Sequence, residues 1–256
     1  MNFSGQPVAP ASIIRVVVFN SKATIRFDRY SSGVQLPKPP RLINFDRIFS
    51  GPFRKGANMI PPFRATRLPS CEVDCIFTDR WSPRAFKQDS LSDRQIETLF
   101  EAARWAPSCF NEQPWLFVYP ADAAQREIFN DLLVSKNRKW ASKAPLLLFL
   151  LARRHFAATG RENRHALFDS GAAWMSLALQ ARRLGLYAHA MAGFDLEGAY
   201  RQLKIDPDRF TVVAAIAVGR HDDPASLPDD LRAMEVPNDR KPPAEVACAS
   251  FKAPAN

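Results

Sequence analysis

The stretch RWAPSCFNEQPWLFVY, Arg104 to Tyr119, changes secondary structure twice within a few residues. An amphipathic helix leads into it, and Pro107 cannot continue that helix, because its ring removes a backbone N–H and crowds the preceding turn. Small polar residues follow, among them Ser108, Asn111 and Gln113. Pro114 then opens Trp115 to Tyr119, an aromatic-rich run containing the β-branched Val118, which reads as a short strand. A polar loop between two ordered elements is a common place for a ligand contact, since rigid flanks hold exposed backbone donors and short side chains in position.

Working outward, Ser92-Asp-Arg-Gln95 sets a Ser cap with Gln three residues on, the start signal of a helix. Ile96, Leu99, Phe100 and Ala103 then recur on one face. A second helix fits Asp122 to Leu133, with Ile128, Phe129 and Leu132 inward. The longest apolar run, PLLLFLLA from Pro145 to Ala152, is far shorter than the roughly 20 residues of a membrane span and reads as a core strand over Leu146 to Leu151. A long helix is expected from His165 to Leu184, with Leu167, Trp174, Leu177, Ala181 and Leu184 near the helical repeat and Gly185 as its stop. An Asp195-capped helix to Leu203 and an apolar strand from Val212 to Val218 complete the ordered part. Helices and strands mix without strict alternation, which predicts an α+β fold. The Pro-rich, charged residues after Gly219 predict an extended tail.

The formal net charge of +9 is unevenly placed. Residues 1–70 hold eleven Lys or Arg against Asp28 and Asp46, leaving the rest balanced at 24 basic and 24 acidic. A nucleic-acid-binding domain carries its basic patch on a folded face, whereas this excess sits in a Pro-, Ser- and Arg-rich segment whose composition predicts disorder. Only Ile13 to Asn20 looks strand-like there. The segment can be read as an organellar transit peptide, as sequence upstream of a true start at Met59, or as a basic arm for RNA or anionic lipid. The expected organisation is therefore a basic extension over residues 1–70, a folded domain over 71–246 and a C-terminal tail over 247–256. Cys71, Cys75, Cys109 and Cys248 lack zinc-site or thioredoxin-like spacing and read as reduced thiols of a cytoplasmic protein, with no membrane anchor.

Several chemistries leave no mark. There is no GxxxxGK[ST] or GxGxxG loop and no GxSxG elbow. His155, His165, His189 and His221 show no metal-ligand spacing. What remains is cationic: Arg80, Ser82 and Arg84 alternate in an extended stretch, so their side chains leave one side of the backbone. Two guanidinium forks flanking a hydroxyl suit a phosphate monoester.

RWSPRAF, the capped helix and AARWAPSCFNEQPW together resemble the flavin-dependent nitroreductase family. So do NRKW at Asn137 to Trp140, FDSGAAWMSLALQARRLGL, AMAGFD at Ala190 to Asp195, the strand ending IAVGR, and PNDRKPPAEV. The resemblance runs in order from Phe77 to Val246. It implies a nitroreductase-like α+β fold with a mixed, mostly antiparallel central sheet flanked by helices, in a domain-entwined homodimer.

Through that resemblance the residues acquire expected roles. Arg80, Trp81, Ser82 and Arg84 match the stretch that holds the FMN phosphate and ribityl chain, with Arg84 also near the N1 and O2 edge. Pro107, Ser108 and Asn111 match a loop that reaches the flavin from the partner subunit. Asn137 and Trp140 match positions at the pyrimidine edge, although Trp140 stands where some relatives carry Lys. Gly193 matches a close approach near N5, and Arg240 with Lys241 a basic pair at the phosphate. The implied activity is ping-pong transfer of hydride from NADH or NADPH through FMN to a small organic acceptor such as a nitroaromatic or quinone, with no catalytic acid or base and no metal. The long helix would form the dimer interface and the tail would embrace the partner. Two alternatives stand beside it: a same-fold flavin enzyme that dehalogenates or fragments flavin, and a non-enzymatic flavin-binding scaffold.

Overall fold

The computed structural model describes residue 67 and residues 69–249; the expected strand over Ile13 to Asn20, and nearly all of the basic segment, lie outside the described residues. The sheet is built around β2 (Leu146–Arg153), which pairs antiparallel with β1 (Trp115–Val118) on one side and β4 (Phe210–Gly219) on the other. The last strand, β3 (Tyr187–Met191), pairs antiparallel with β4, giving the order β1-β2-β4-β3. All pairings among these four strands are antiparallel, and with the helices around them the fold is α+β as the sequence predicts.

The apolar run in β2 has a direct physical cause. Successive side chains leave opposite faces of a strand, and both faces of β2 are covered. Leu147, Phe149 and Leu151 enter one core with Phe129, Leu132, Trp140 and Trp81. Leu146, Leu148 and Leu150 enter a second with Leu99, Ala103, Leu177 and Ala181. The register shifts between Leu150 and Leu151 against β4. Alternation with polar residues would leave buried polar groups on one side, so the strand is apolar from Leu146 to Ala152.

The second core is roofed by α2 (Asp93–Arg104) and α5 (Ala166–Arg183), which pack on each other. Ser92 caps α2 with the reciprocal Ser92–Gln95 hydrogen bonds the sequence signals. Gly185 ends α5 with φ of 74°, a conformation that costs a residue with a Cβ. Within α5, Leu177 and Ala181 are fully buried, whereas Leu167 is exposed, because in the first turn Ala166, Asp169 and Ser170 take the buried face. The other face carries α3 (Ala123–Asp131), capped by Asp122, α4 (Ser135–Ala141) and the Asp195-capped α6 (Leu196–Gln202).

The C-terminal residues do more than trail. After β4, a 3₁₀ turn at Pro224–Ser226 and α7 (Asp229–Arg232) fold back, and Leu227 and Leu231 insert into the first core. Only the short α8 (Pro243–Val246) and its neighbours are exposed throughout. Two further short elements, α1 (Cys75–Asp79) and the 3₁₀ turn at Cys109–Asn111, flank the polar segments singled out in the sequence. None of the helices among the described residues is long and apolar enough to cross a membrane. Replacing Ser92 by Ala removes the side-chain half of the α2 cap, and urea denaturation is expected to show a loss of about 1 kcal/mol.

Candidate functional site

Arg80 to Arg84 runs as an extended loop between α1 and the bridge that pairs Phe86 with His221. Arg80, Ser82 and Arg84 line one cavity of about 370 Å³, together with Trp81, Arg67, His189, Val236, Asn238, Asp239 and Arg240. The same cavity thus joins an early loop, strand β3 and the C-terminal segment.

Charge dominates it. Four guanidinium groups face one carboxylate, Asp239, and among the described residues none of the four forms an ion pair with a carboxylate. Burial, then the neighbouring Arg240, lowers the Arg80 pKa below the usual guanidinium value. The Nε of Arg80 is buried with no hydrogen-bond partner. Unmatched cationic donors of this kind fit a multiply charged, oxygen-rich anion such as a phosphate monoester.

What holds the loop is a carboxylate that local sequence gave no reason to single out. Glu235, buried just after α7, accepts from the backbone N–H of Arg84 at 2.9 Å and of Ala85 at 2.8 Å. It also bonds His221 Nε2 at 3.3 Å. Burial alone would raise the Glu235 pKa, but the bonds from His221, Ala85 and Arg84 outweigh it and leave the carboxyl below its ordinary value. The loop is held a second time by His189, whose Nδ1 lies 2.8 Å from the carbonyl oxygen of Pro83. A carbonyl only accepts, so Nδ1 carries the proton. Burial pushes the His189 pKa down to about 4 despite the Pro83 bond, with Arg84 adding to the lowering. His189 is therefore neutral near pH 7.

The remaining expected residues divide. Arg240 lines the cavity, whereas the neighbouring Lys241 is not among its lining residues and lies 3.7 Å from Glu245. Asn137 and Gly193 meet: Asn137 Nδ2 donates to the Gly193 carbonyl at 3.0 Å, and a Cβ on Gly193 would come within 2.5 Å of that nitrogen. Trp140 is a core residue. It is fully buried, stacked on Phe86 and tilted against His189 at 4.5 Å, so it backs the cavity wall without lining the cavity. Burying its large apolar ring is favourable, and the core behind His189 takes it.

Pro107, Ser108 and Asn111 lie outside the cavity's lining, on the loop between α2 and β1. That loop is tightly built. Cys109 N–H donates to the buried Asp169 at 3.0 Å, Gln113 N–H to Ser108 Oγ at 3.0 Å, and Ala157 N–H to Glu112 at 2.7 Å. Phe110, Asn111 and Gln113 all adopt positive φ, at 52°, 56° and 51°. Each such non-glycine residue costs on the order of 1 kcal/mol, so packing has to enforce the conformation. Phe110 is 89% exposed, and Trp105, just past the end of α2, and Phe168 on α5 are also exposed.

The family model for the Nitroreductase family matches residues 77–139 and 120–220, together more than half of the chain. A Streptomyces coelicolor protein provisionally named NADH dehydrogenase/NAD(P)H nitroreductase is 26% identical over 184 residues, covering 64% of this chain and 93% of its own. A Thermus thermophilus NADH dehydrogenase is 26% identical over 184 residues, covering 59% and 88%. A solved structure described as an oxidoreductase containing FMN superposes with a TM-score of 0.69 at 43% identity, covering 72% of this chain and 95% of its own.

Two outcomes follow from the loop's supports. Glu235→Ala strands the buried Ala85 amide and the part-buried Arg84 amide, and chemical denaturation is expected to show a loss of about 3 kcal/mol, with Glu235→Gln losing less because one oxygen still accepts. Thermal stability should also fall as pH drops from about 6.5 towards about 4, because across that window the unfolded chain takes up a proton at His189 that the folded chain refuses. A melting series over that range is expected to flatten in His189→Gln.

Proposed function

The chain belongs to the nitroreductase family, and from that premise we propose that it is an NAD(P)H-dependent flavin oxidoreductase whose cationic cavity takes the phosphate of FMN. The observation that carries this is the set of four guanidinium groups around one cavity, with a buried Arg80 Nε that lacks a partner. The chain's own residues then divide the work. Arg80, Ser82, Arg84 and Arg240 bind the anionic end, with Glu235 and His189 keeping the loop in place beneath them. Arg84 directs a fixed positive charge into the cavity, where it favours negative charge on whatever is bound. Neutral His189 offers Nε2 as an acceptor. Asn137 and Gly193 border the planar part of the cofactor, where a side chain on Gly193 has no room.

FMN, when bound, supplies the redox chemistry, taking hydride from NADH or NADPH and passing it to a small acceptor such as a nitroaromatic or quinone. No catalytic acid or base is required of the protein. The chain acts as a homodimer in which the loop bearing Pro107, Ser108 and Asn111 reaches the flavin held by the other subunit. Two features support this: the loop holds three residues at positive φ at a conformational cost, and it presents the apolar Phe110 to solvent, 6.0 Å from the ring of Phe156.

Anaerobic addition of NADH or NADPH is expected to bleach the flavin absorbance of the purified protein. Arg84→Ala is expected to lower FMN occupancy, or the rate of that bleaching, by tenfold or more. An unchanged flavin content and an unchanged rate would remove Arg84 from the site.

A further inference from the structure

We propose that Arg67 is a fourth guanidinium of the phosphate cradle, held in place by the two chain segments it joins. Arg67 lies upstream of the span matched by the family, at the edge of a stretch whose composition gives no sign of a site. The choice of phosphate as ligand rests on the function proposed above; the placement of Arg67 does not.

Three observations converge on it. Arg67 lines the cavity beside Arg80 and Arg240. Its Nη1 donates to the carbonyl of Arg80 at 2.5 Å and to that of Thr78 at 3.3 Å, and its Nε donates to the carbonyl of Asn238 at 2.7 Å. The segment carrying Arg80 and the segment carrying Arg240 are therefore both tied to one guanidinium group. Finally, the Arg67 pKa is lowered by burial and then by Arg240 and Arg80, with Asp239 opposing only in part. Three like charges close enough to disturb one another are costly without an anion. A staple alone needs only a donor in that position, which a neutral amide also supplies, though more weakly than a guanidinium. A ring of guanidinium forks around a phosphate monoester does need the charge.

The test uses the full chain freed of bound flavin and two probes, inorganic phosphate and the pair FMN and riboflavin. Arg67→Gln removes the charge while keeping an amide donor for the Arg80 carbonyl; Arg67→Ala removes both. At constant ionic strength, inorganic phosphate is expected to raise the melting temperature of the parent protein and to lose most of that effect in Arg67→Gln. FMN affinity is expected to fall about ten- to a hundredfold in both variants, while riboflavin, which has the same ring and no phosphate, binds them as it binds the parent.

Phosphate stabilisation that is absent from the parent, or equal in parent and Arg67→Gln, overturns the proposal. An equal loss of FMN and riboflavin binding overturns it too, since it makes Arg67 a staple only. Should Arg67→Ala fail to fold, the Arg67→Gln comparison still decides. If the parent binds phosphate through Arg67 but takes no FMN, the anion site stands and the proposed cofactor falls.

Discussion

Four guanidinium groups sharing one cavity with a single carboxylate repel one another, and the fold keeps them there through the backbone instead of through ion pairs. Arg67 is fixed by three carbonyls, Arg240 by those of Asn238 and Asp239, and the Arg80 to Arg84 loop by Glu235 beneath its amides. Carbonyl acceptors orient an arginine without cancelling its charge. A carboxylate in the same place would do both, and would compete with an incoming anion. Glu235 avoids that competition because it faces the amides of the loop and is buried away from the cavity. Its negative charge fixes the backbone while the side chains it presents stay cationic.

The sheet explains why these pieces meet. β2 fills both cores and fixes β4 beside it, β4 fixes β3, and β3 carries His189 to the Pro83 carbonyl. Trp140 closes the back of that contact by packing between Phe86 and His189. Leu227 and Leu231 anchor the C-terminal segment in the first core, which brings Glu235 and Arg240 within reach of a loop about 150 residues earlier. The cavity is thus assembled from distant parts of the chain by ordinary apolar packing. Its shape depends on core residues that lie outside its lining, such as Trp140, Leu227 and Leu231.

Local signals carried much of this. The Ser92 cap, the two-sided apolar run of β2, the Gly185 stop and the alternation of Arg80, Ser82 and Arg84 each follow from neighbours along the chain. β3 did not announce itself, because YAHAM has small alanines in place of the β-branched residues that mark a strand, and pairing with β4 supplies what propensity lacks. Trp140 matched a motif by position yet belongs to the core. Arg67, His189 and Glu235 escaped for a common reason. Each acts through partners far away in sequence, or through a segment whose composition suggests no structure, and the boundary drawn at residue 70 separated Arg67 from the cavity it lines. The basic residues farther upstream lie outside the described part of the chain.

The central claim is that the cavity recognises a phosphate ester by fixed positive charge. Calorimetric titration of the flavin-free protein with FMN and with riboflavin, at low and at high salt, tests it most directly. FMN should bind at least a hundredfold more tightly than riboflavin at low salt, and salt should narrow the gap by weakening FMN alone. Equal affinities for the two flavins, or a preference for FMN that salt leaves untouched, would contradict the account.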